Sequence, residues 1–301
     1  MELSDKKFAV LIDADNISHR KIKDILDEIA NYGTPTIKRI YGDFTDPKFA
    51  AWKSVLLENS ITPIQQYAYT TGKNATDSAL IIDAMDILHK ESVNGFCIVS
   101  SDSDYTRLAS RIRESGREVL GFGEKKTPKP FIKSCDKFIY VEILGQPAPA
   151  PAPVSAPAQT AAAVPAAKAA TPKKTAKKHQ GRNAPETDMP EAAPADPAAA
   201  EKKVAPAPDT AQPQPIIRPI DDDFKTLLAN TIEDAADDSG WAFLGIVGGV
   251  LTKKMPDFDP RNYGYKKLSL LVKSLSKIVE IEERPSENKE LKLVYVRNRI
   301  R

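Results

Sequence analysis

Four aspartates lie at positions where their carboxylates could act together. Asp13 directly follows an apolar segment, and Asp102 and Asp104 follow a second one. Asp77 lies between them in the chain, at the start of a segment with helical periodicity. Carboxylates gathered in one place repel one another unless a cation is bound between them, and hard oxygen ligands favour Mg²⁺ or Mn²⁺. The four aspartates therefore predict a divalent-metal site that catalyses nucleophilic displacement at a phosphorus atom. We expect all four to be both metal ligands and catalytic residues.

Polar residues near these aspartates could contact a phosphate. The amide of Asn16 could orient a metal-bound water or the scissile phosphate, or it could form an Asx turn or a helix cap. Ser101 offers a hydroxyl and a backbone N–H group beside Asp102. Lys73 lies in a polar loop before Asp77, where it could meet a phosphate or simply be solvated. We predict a substrate-binding role for Asn16, Ser101 and Lys73.

Other chemistries receive little support from the sequence. The histidines, His19, His89 and His179, are scattered, so they indicate neither a zinc site nor a Ser-His-Asp triad. No glycine-rich phosphate loop with a Walker lysine occurs. The two cysteines, Cys97 and Cys135, are too few for a disulfide framework.

The aspartates can lie close together if strands and helices alternate through residues 1–145 and form one sheet. Apolar segments predict strands at 8–12, 36–41, 61–67, 96–100, 118–122 and 136–141. Helical spacing predicts helices at 18–32, 48–58, 77–89 and 105–115. This alternation is typical of an α/β fold with a mainly parallel sheet and helices on both faces. In such a sheet the carboxyl ends of the strands line one crevice, which would collect the aspartates.

The composition changes sharply after residue 145. Residues 146–219 are rich in Ala and Pro and have few large apolar side chains, so we predict a disordered, extended linker. In residues 220–301 we predict helices at 224–237, 243–255 and 263–277, the second broken near Gly248 and Gly249. Two strand-like segments, 278–282 and 291–296, follow these helices. Three helices followed by a hairpin describe a small winged-helix domain.

A basic segment of the C-terminal domain could contact RNA. Arg261, Lys266 and Lys267 lie close to Tyr263 and Tyr265, a mixture that suits phosphate contact and base stacking. The alternative is a solvated basic face above tyrosines of the core. Net charge does not decide between them, because residues 220–301 contain 14 basic and 14 acidic side chains. Any contact with nucleic acid must therefore use a local patch.

Three segments of residues 7–145 resemble the motifs of the NYN domain, a branch of the PIN-like nucleases that includes the LabA-like proteins. They are residues 11–16, 76–84 and 99–105. The resemblance implies a metal-dependent ribonuclease with Asp13, Asp77, Asp102 and Asp104 as its acidic cluster. Asn16 matches the asparagine of the family's opening motif.

The C-terminal domain resembles another family. Residues 240–249 and 256–268 are similar to an OST-HTH or LOTUS domain. This resemblance implies a winged-helix module that binds RNA, or a protein partner in some relatives.

These features favour a metal-dependent RNA endonuclease with a C-terminal RNA-binding module. The first alternative is a non-catalytic RNA-binding or regulatory adaptor. The second is a phosphatase, because Asp13 and Asp15 also resemble the opening motif of the haloacid dehalogenases, although Asn16 departs from it. No segment approaches the roughly 18 apolar residues of a membrane span, and no signal peptide is visible. We therefore expect a soluble, cytoplasmic protein without a membrane partner.

Overall fold

The computed structural model describes residues 6–67, 75–145, 217–285 and 292–299. The predicted linker lies almost wholly outside the described residues, and so does Lys73. Most of each predicted folded segment, 1–145 and 220–301, lies within these ranges.

A six-stranded parallel sheet forms the centre of the N-terminal domain. Its strands are β1 (Lys7–Asp13), β2 (Thr34–Gly42), β3 (Thr62–Gln65), β4 (Gly95–Val99), β5 (Glu118–Gly123) and β6 (Lys137–Tyr140). Its helices are α1 (Ile22–Ile29), α2 (Trp52–Glu58), α3 (Ala75–Lys90), α4 (Thr106–Glu114) and α5 (Lys129–Ser134). The strand order is β3-β2-β1-β4-β5-β6, and every pair is parallel.

Both faces of this sheet are covered by helices, as predicted. Alternate side chains of β1 point to opposite faces. Phe8, Val10 and Ile12 pack with apolar residues of α1 and α2. Ala9 and Leu11 pack with those of α3, α4 and α5 on the other face. Two hydrophobic layers therefore hold the sheet rigidly and fix the ends of its strands.

The order of the strands reverses direction between β1 and β4. The chain leaves β1 towards β2 and β3 on one side, and then crosses back to add β4 on the other side. Ile12 of β1 pairs with Val99 of β4, so the two carboxyl ends lie side by side. Ligands of open α/β sheets bind at such a switch point, and here it is flanked by Asp13 and the segment after Val99.

Helix α5 was not predicted from the sequence. It has only six residues and carries Pro130 in its first turn. Phe131 and Ile132 are buried against the sheet, so tertiary packing supports a helix that is too short to be stable alone.

The C-terminal domain has the predicted winged-helix plan. Its helices are α6 (Asp222–Ala235), α7 (Leu244–Lys254) and α8 (Leu268–Ser274). Its strands are β7 (Ala242–Phe243), β8 (Val279–Pro285) and β9 (Lys292–Asn298), in the antiparallel order β7-β9-β8. One core cluster joins the three helices to this small sheet.

Two helix predictions in this domain were wrong in detail. Helix α7 is continuous through Gly248 and Gly249, because buried Leu244, Val247 and Leu251 hold it on the core. The predicted helix 263–277 is shorter, since Gly264 adopts a left-handed conformation with φ +83° and ends a separate 3-10 turn. Helix α8 begins only at Leu268.

Within the described part of the chain, no helix combines the length and the apolar character that crossing a membrane would require. Cys97 and Cys135 are free thiols, and both are buried.

Candidate active site

Asp13 is a buried charged group at the switch point. As the last residue of β1 it is 0 % exposed, beside the carboxyl end of β4. Its Oδ2 accepts hydrogen bonds from the Asn16 amide at 2.7 Å and the Ser100 hydroxyl at 2.8 Å. Its Oδ1 accepts one from the backbone N–H of Asp15 at 3.1 Å. Three donors thus replace the water that the carboxylate loses.

The environment of Asp13 acts on its pKa in opposite directions. Burial raises the pKa, and the charge of Asp77 raises it further. The hydrogen bonds from Asn16, Ser100 and the Asp15 backbone lower it, but the net direction is upward. Burial is therefore the largest influence on the pKa of Asp13, and the three hydrogen bonds offset part of it.

Asp77, Asp102 and Asp104 form a separate acidic cluster. One carboxylate oxygen from each lies within 4.8 Å of the others. Asp77 comes from the first turn of α3, whereas Asp102 and Asp104 come from the turn that follows β4. Three residues from two distant segments are therefore brought together, and Asp13 is not part of this group.

The turn after β4 is fixed by its own hydrogen bonds. Asp102 caps a short 3-10 helix, with its Oδ1 accepting the backbone N–H of Asp104 at 2.9 Å. The backbone N–H of Asp102 donates to the Ser100 hydroxyl at 3.0 Å. Ser100 thus contacts both Asp13 and the turn that bears the cluster, which connects the two parts of the site.

Tyr105 is a member of the site that sequence analysis missed. Its ring is fully buried, and its hydroxyl donates to Oδ1 of Asp77 at 2.7 Å. Burial raises the pKa of Asp77, as do the charges of Asp102 and Asp104, while the Tyr105 bond lowers it. The sequence shows only an aromatic residue directly after Asp104. The role of Tyr105 depends on its contact with Asp77 of α3, which local sequence does not reveal.

The donor set of the cluster fits a hard divalent cation. Ligands on opposite sides of an octahedral Mg²⁺ lie roughly 4.2 Å apart, since each is roughly 2.1 Å from the ion. The spacing of the three carboxylates is compatible with that arrangement. Their mutual repulsion, which adds to burial in raising the pKa of Asp77, would be relieved by such an ion.

Asn16 and Ser101, the two described phosphate-binding candidates of this domain, have structural partners. Asn16 uses its amide to hold Asp13, so it orients a carboxylate directly. The Ser101 side chain is buried, and its hydroxyl accepts the backbone N–H of Glu124 at 2.8 Å. That bond joins the loops after β4 and β5.

Basic groups around the crevice are partly neutralised. Nζ of Lys48 lies 2.9 Å from Oδ1 of Asp15, and the lysine side chain is exposed to solvent. Arg39 and the Tyr41 hydroxyl both bind Asp83 of α3. Asp83 is thereby part of a structural ion pair.

The predicted RNA-binding residues of the C-terminal domain divide into two groups. Lys266 and Lys267 are exposed before α8. Arg261 is bound instead to Glu28 and Asp259. Tyr263 is buried and packs on Phe224, with 4.6 Å between ring centroids, so it belongs to the core.

Two solved structures are similar to parts of the chain. The first, a protein of unknown function from Vibrio parahaemolyticus RIMD 2210633, is 20% identical with a TM-score of 0.39, covering 46% of this chain and 96% of that one. The second, an uncharacterized protein from Nitrosomonas europaea, is 35% identical with a TM-score of 0.26, covering 34% and 94%. TM-scores this low support no argument about fold or function. No curated protein matches the chain.

Comparison with protein families gives two matches. Residues 7–143 match the NYN domain, and residues 215–291 match the OST-HTH/LOTUS domain. The first match contains the buried Asp13 and the acidic cluster, and the second contains the three helices of the C-terminal domain with Lys266 and Lys267. Residues 7–143 are therefore an NYN domain, and residues 215–291 are an OST-HTH/LOTUS domain.

Proposed function

We propose that this protein is a divalent-metal-dependent RNA endonuclease. The observation that carries the proposal is the cluster of Asp77, Asp102 and Asp104, at the strand switch point of an NYN domain. NYN and other PIN-like nucleases typically use divalent metals, and an OST-HTH/LOTUS domain is an RNA-binding module. The two domains together fit a ribonuclease that carries its own RNA-binding domain.

The four acids have two different tasks in this proposal. Asp77, Asp102 and Asp104 would hold Mg²⁺ or Mn²⁺, which when bound polarises a phosphoryl oxygen and lowers the pKa of an attacking water. Tyr105 orients the carboxylate of Asp77. Asp13 contributes a buried negative charge beside the cluster, held in place by Asn16 and Ser100.

The C-terminal domain would supply substrate binding. Lys266 and Lys267 are exposed and adjacent, which suits contact with consecutive phosphates of an RNA strand. Binding there would raise the concentration of RNA near the NYN domain.

The deciding experiment compares cleavage of single-stranded and structured RNA with Mn²⁺, Mg²⁺ or a chelator. Asp102→Asn keeps the shape of the side chain and removes one ligand charge. Asp86→Asn is the matched control, because Asp86 is an exposed acid of α3 paired with Lys90. We expect cleavage by the parent and by Asp86→Asn that requires metal, and a loss of at least about 100-fold in Asp102→Asn.

Other outcomes would lead to different functions. Cleavage that survives both the chelator and Asp102→Asn contradicts the metal mechanism. RNA binding without cleavage by the parent protein would favour the adaptor. The phosphatase would need Asp13 as its nucleophile, but that side chain is fully buried and both oxygens accept hydrogen bonds.

A further inference from the structure

The outer edge of the parallel sheet is contacted by the C-terminal domain. Strand β6 ends the strand order, so its outward backbone groups need partners other than a strand of this sheet. The backbone N–H of Phe138 donates to the carbonyl oxygen of Pro256 at 2.9 Å. Helix α7 ends at Lys254, and Pro256 is the second residue after it and the first of the segment 256–261.

An ion pair with two hydrogen bonds lies at one end of this contact. Arg261 donates from Nη1 and Nη2 to the two carboxylate oxygens of Glu28, at 2.9 Å and 2.8 Å. The Glu28 side chain is 12% exposed and that of Arg261 is 33% exposed. Asp259 binds the same guanidinium at 2.7 Å and fixes its orientation. A two-pronged, partly buried pair of this kind is strong and depends closely on geometry.

A second polar group lies beside the end of β6. The Tyr140 hydroxyl donates to Oδ2 of Asp257 at 2.8 Å and accepts from Nη2 of Arg218 at 2.8 Å. Arg218 and Asp257 are themselves 2.9 Å apart. The Arg218 guanidinium also lies 5.1 Å from the centroid of the Tyr140 ring. The Tyr140 hydroxyl therefore both donates a hydrogen bond to the C-terminal domain and accepts one from it.

Charges across the contact are complementary. Glu28 and Lys137 come from the N-terminal domain, and Asp259 and Arg261 come from the C-terminal domain. Lys137 lies over the ring of Tyr32, 4.9 Å from its centroid. Burial lowers the pKa of Lys137, whereas Asp259 and Glu28 act to raise it. The Arg261–Glu28 pair is the ion pair that crosses the contact, and opposite charges facing each other in this way are typical of a specific interface.

We propose that segment 256–261 is an intramolecular docking surface whose partner is the face formed by α1 and β6 of the same chain. The C-terminal domain is then held against the NYN domain instead of moving freely on its linker. Arg261, which its sequence context assigns to RNA, serves this interface. Lys266 and Lys267 remain for RNA. This inference goes beyond the proposed endonuclease and holds whether or not the acidic site cleaves.

Distance measurements between spin labels test the docking directly in the full chain. Ser54→Cys on α2 and Ser276→Cys after α8 place labels at two exposed positions. The native Cys97 and Cys135 are buried, so the labels attach to the introduced thiols. We expect one narrow distance distribution for the parent. A broad distribution in the parent would overturn the proposal.

Variants of the ion pair provide the second arm of the test. We expect Glu28→Gln and Arg261→Gln each to broaden the distribution, and the double variant to be no broader than either single one, because all three lose the same interaction. Tyr140→Phe should also broaden it through the second polar group. Glu91→Gln, an exposed acid outside the contact, is the control and should leave it narrow. Additive broadening, or no change in any variant, contradicts the docking.

RNA binding separates docking from an RNA-contact role of Arg261. If Arg261 contacted phosphate, Glu28→Gln would release it and strengthen binding, and Arg261→Gln would reduce the salt dependence. Docking predicts that Arg261→Gln leaves the slope of log affinity against log salt unchanged. Lys267→Gln should reduce that slope by about 1. The spin-label distances do not depend on cleavage, so this proposal and the endonuclease can fail separately.

Discussion

Asp13 and Asp77 hold charge where burial works against it. Burial raises the pKa of both groups, and neighbouring carboxylates raise that of Asp77 further. Natural proteins accept such destabilising groups mainly where function needs them. Donors from Asn16, Ser100 and Tyr105 limit the cost without neutralising the carboxylates. At the scale of single residues, the site is therefore a place where stability and the proposed activity conflict.

Asp77→Asn should stabilise the metal-free protein while it abolishes cleavage. The amide oxygen can still accept from Tyr105, and the repulsion from Asp102 and Asp104 disappears. We expect a gain of roughly 1 kcal/mol in the free energy of unfolding, or about 2–4 °C in Tm. Thermal unfolding with chelator present measures it, and a lower Tm than the parent would contradict the expectation.

The gain should depend on pH in a defined direction. The pKa of Asp77 is raised in the folded state above its ordinary value of 3.8, so the native state binds the proton more tightly than the unfolded state. The protonated Asp77 therefore favours the folded state at low pH, and this contribution is lost as the pH rises from 3.8 through the raised pKa of the folded state. The advantage of Asp77→Asn should be full at pH 7.5 and smaller at pH 4.5.

Binding of a divalent cation should be visible without any RNA. A ligand that binds only the folded state raises Tm, by an amount that grows with its concentration above Kd. We expect Mn²⁺ to raise the Tm of the parent and of Asp86→Asn, and to have a much smaller effect on Asp102→Asn. Equal shifts in all three proteins would mean that the cation binds elsewhere.

At the scale of elements, backbone geometry decides which glycines matter. Gly249 lies inside α7, where an added methyl group would meet nothing within 4 Å. Gly264 has φ +83°, a conformation that other residues rarely adopt, and an added methyl group would lie 3.3 Å from Ile217. The same substitution should therefore have opposite effects in the two places.

Gly249→Ala should stabilise the C-terminal domain by roughly 0.5–1 kcal/mol, because alanine has the higher helix propensity. Gly264→Ala should destabilise it by about 1 kcal/mol or more, since its left-handed turn strains any side chain. Urea unfolding of both variants and the parent measures the free energies. If both substitutions shift the free energy in the same direction, the assignment of Gly249 to a helix and of Gly264 to a left-handed turn is wrong.

At the scale of the whole molecule, the basic residues of the C-terminal domain have two different proposed roles, RNA binding and contact with the NYN domain. Lys266 and Lys267 are exposed, whereas Arg261 is held by acids of both domains. Phosphate contacts release counterions, so their number sets the salt dependence of RNA binding.

Replacing both lysines with glutamine should weaken RNA binding uniformly across sequences. We expect the slope of log affinity against log salt to fall by about 2, with a larger loss of affinity at low salt. Titration of the full chain with labelled RNA measures this, and Lys90→Gln on the exposed end of α3 is the control. An unchanged slope would remove these lysines from the RNA interface.

Local patterns in the sequence were enough to predict the alternating α/β domain and the winged helix, whereas the metal-binding role of the four aspartates stays a prediction. Apolar segments and helical spacing act over a few residues, so they identify elements well and their ends less well. They missed α5, whose six residues depend on burial of Phe131 and Ile132, and they extended the last helix through Gly264.

Contacts between distant segments were decided only by the tertiary structure. It grouped Asp77 with Asp102 and Asp104, placed Asp13 outside that group under three hydrogen bonds, and added Tyr105. It also joined Arg261 to Glu28 across 233 positions of the chain. Residue types and spacing determine which side chains can bind a cation, an acid or RNA. Which of these partners each one meets depends on how sheets and helices pack, because packing sets distances that no local pattern contains.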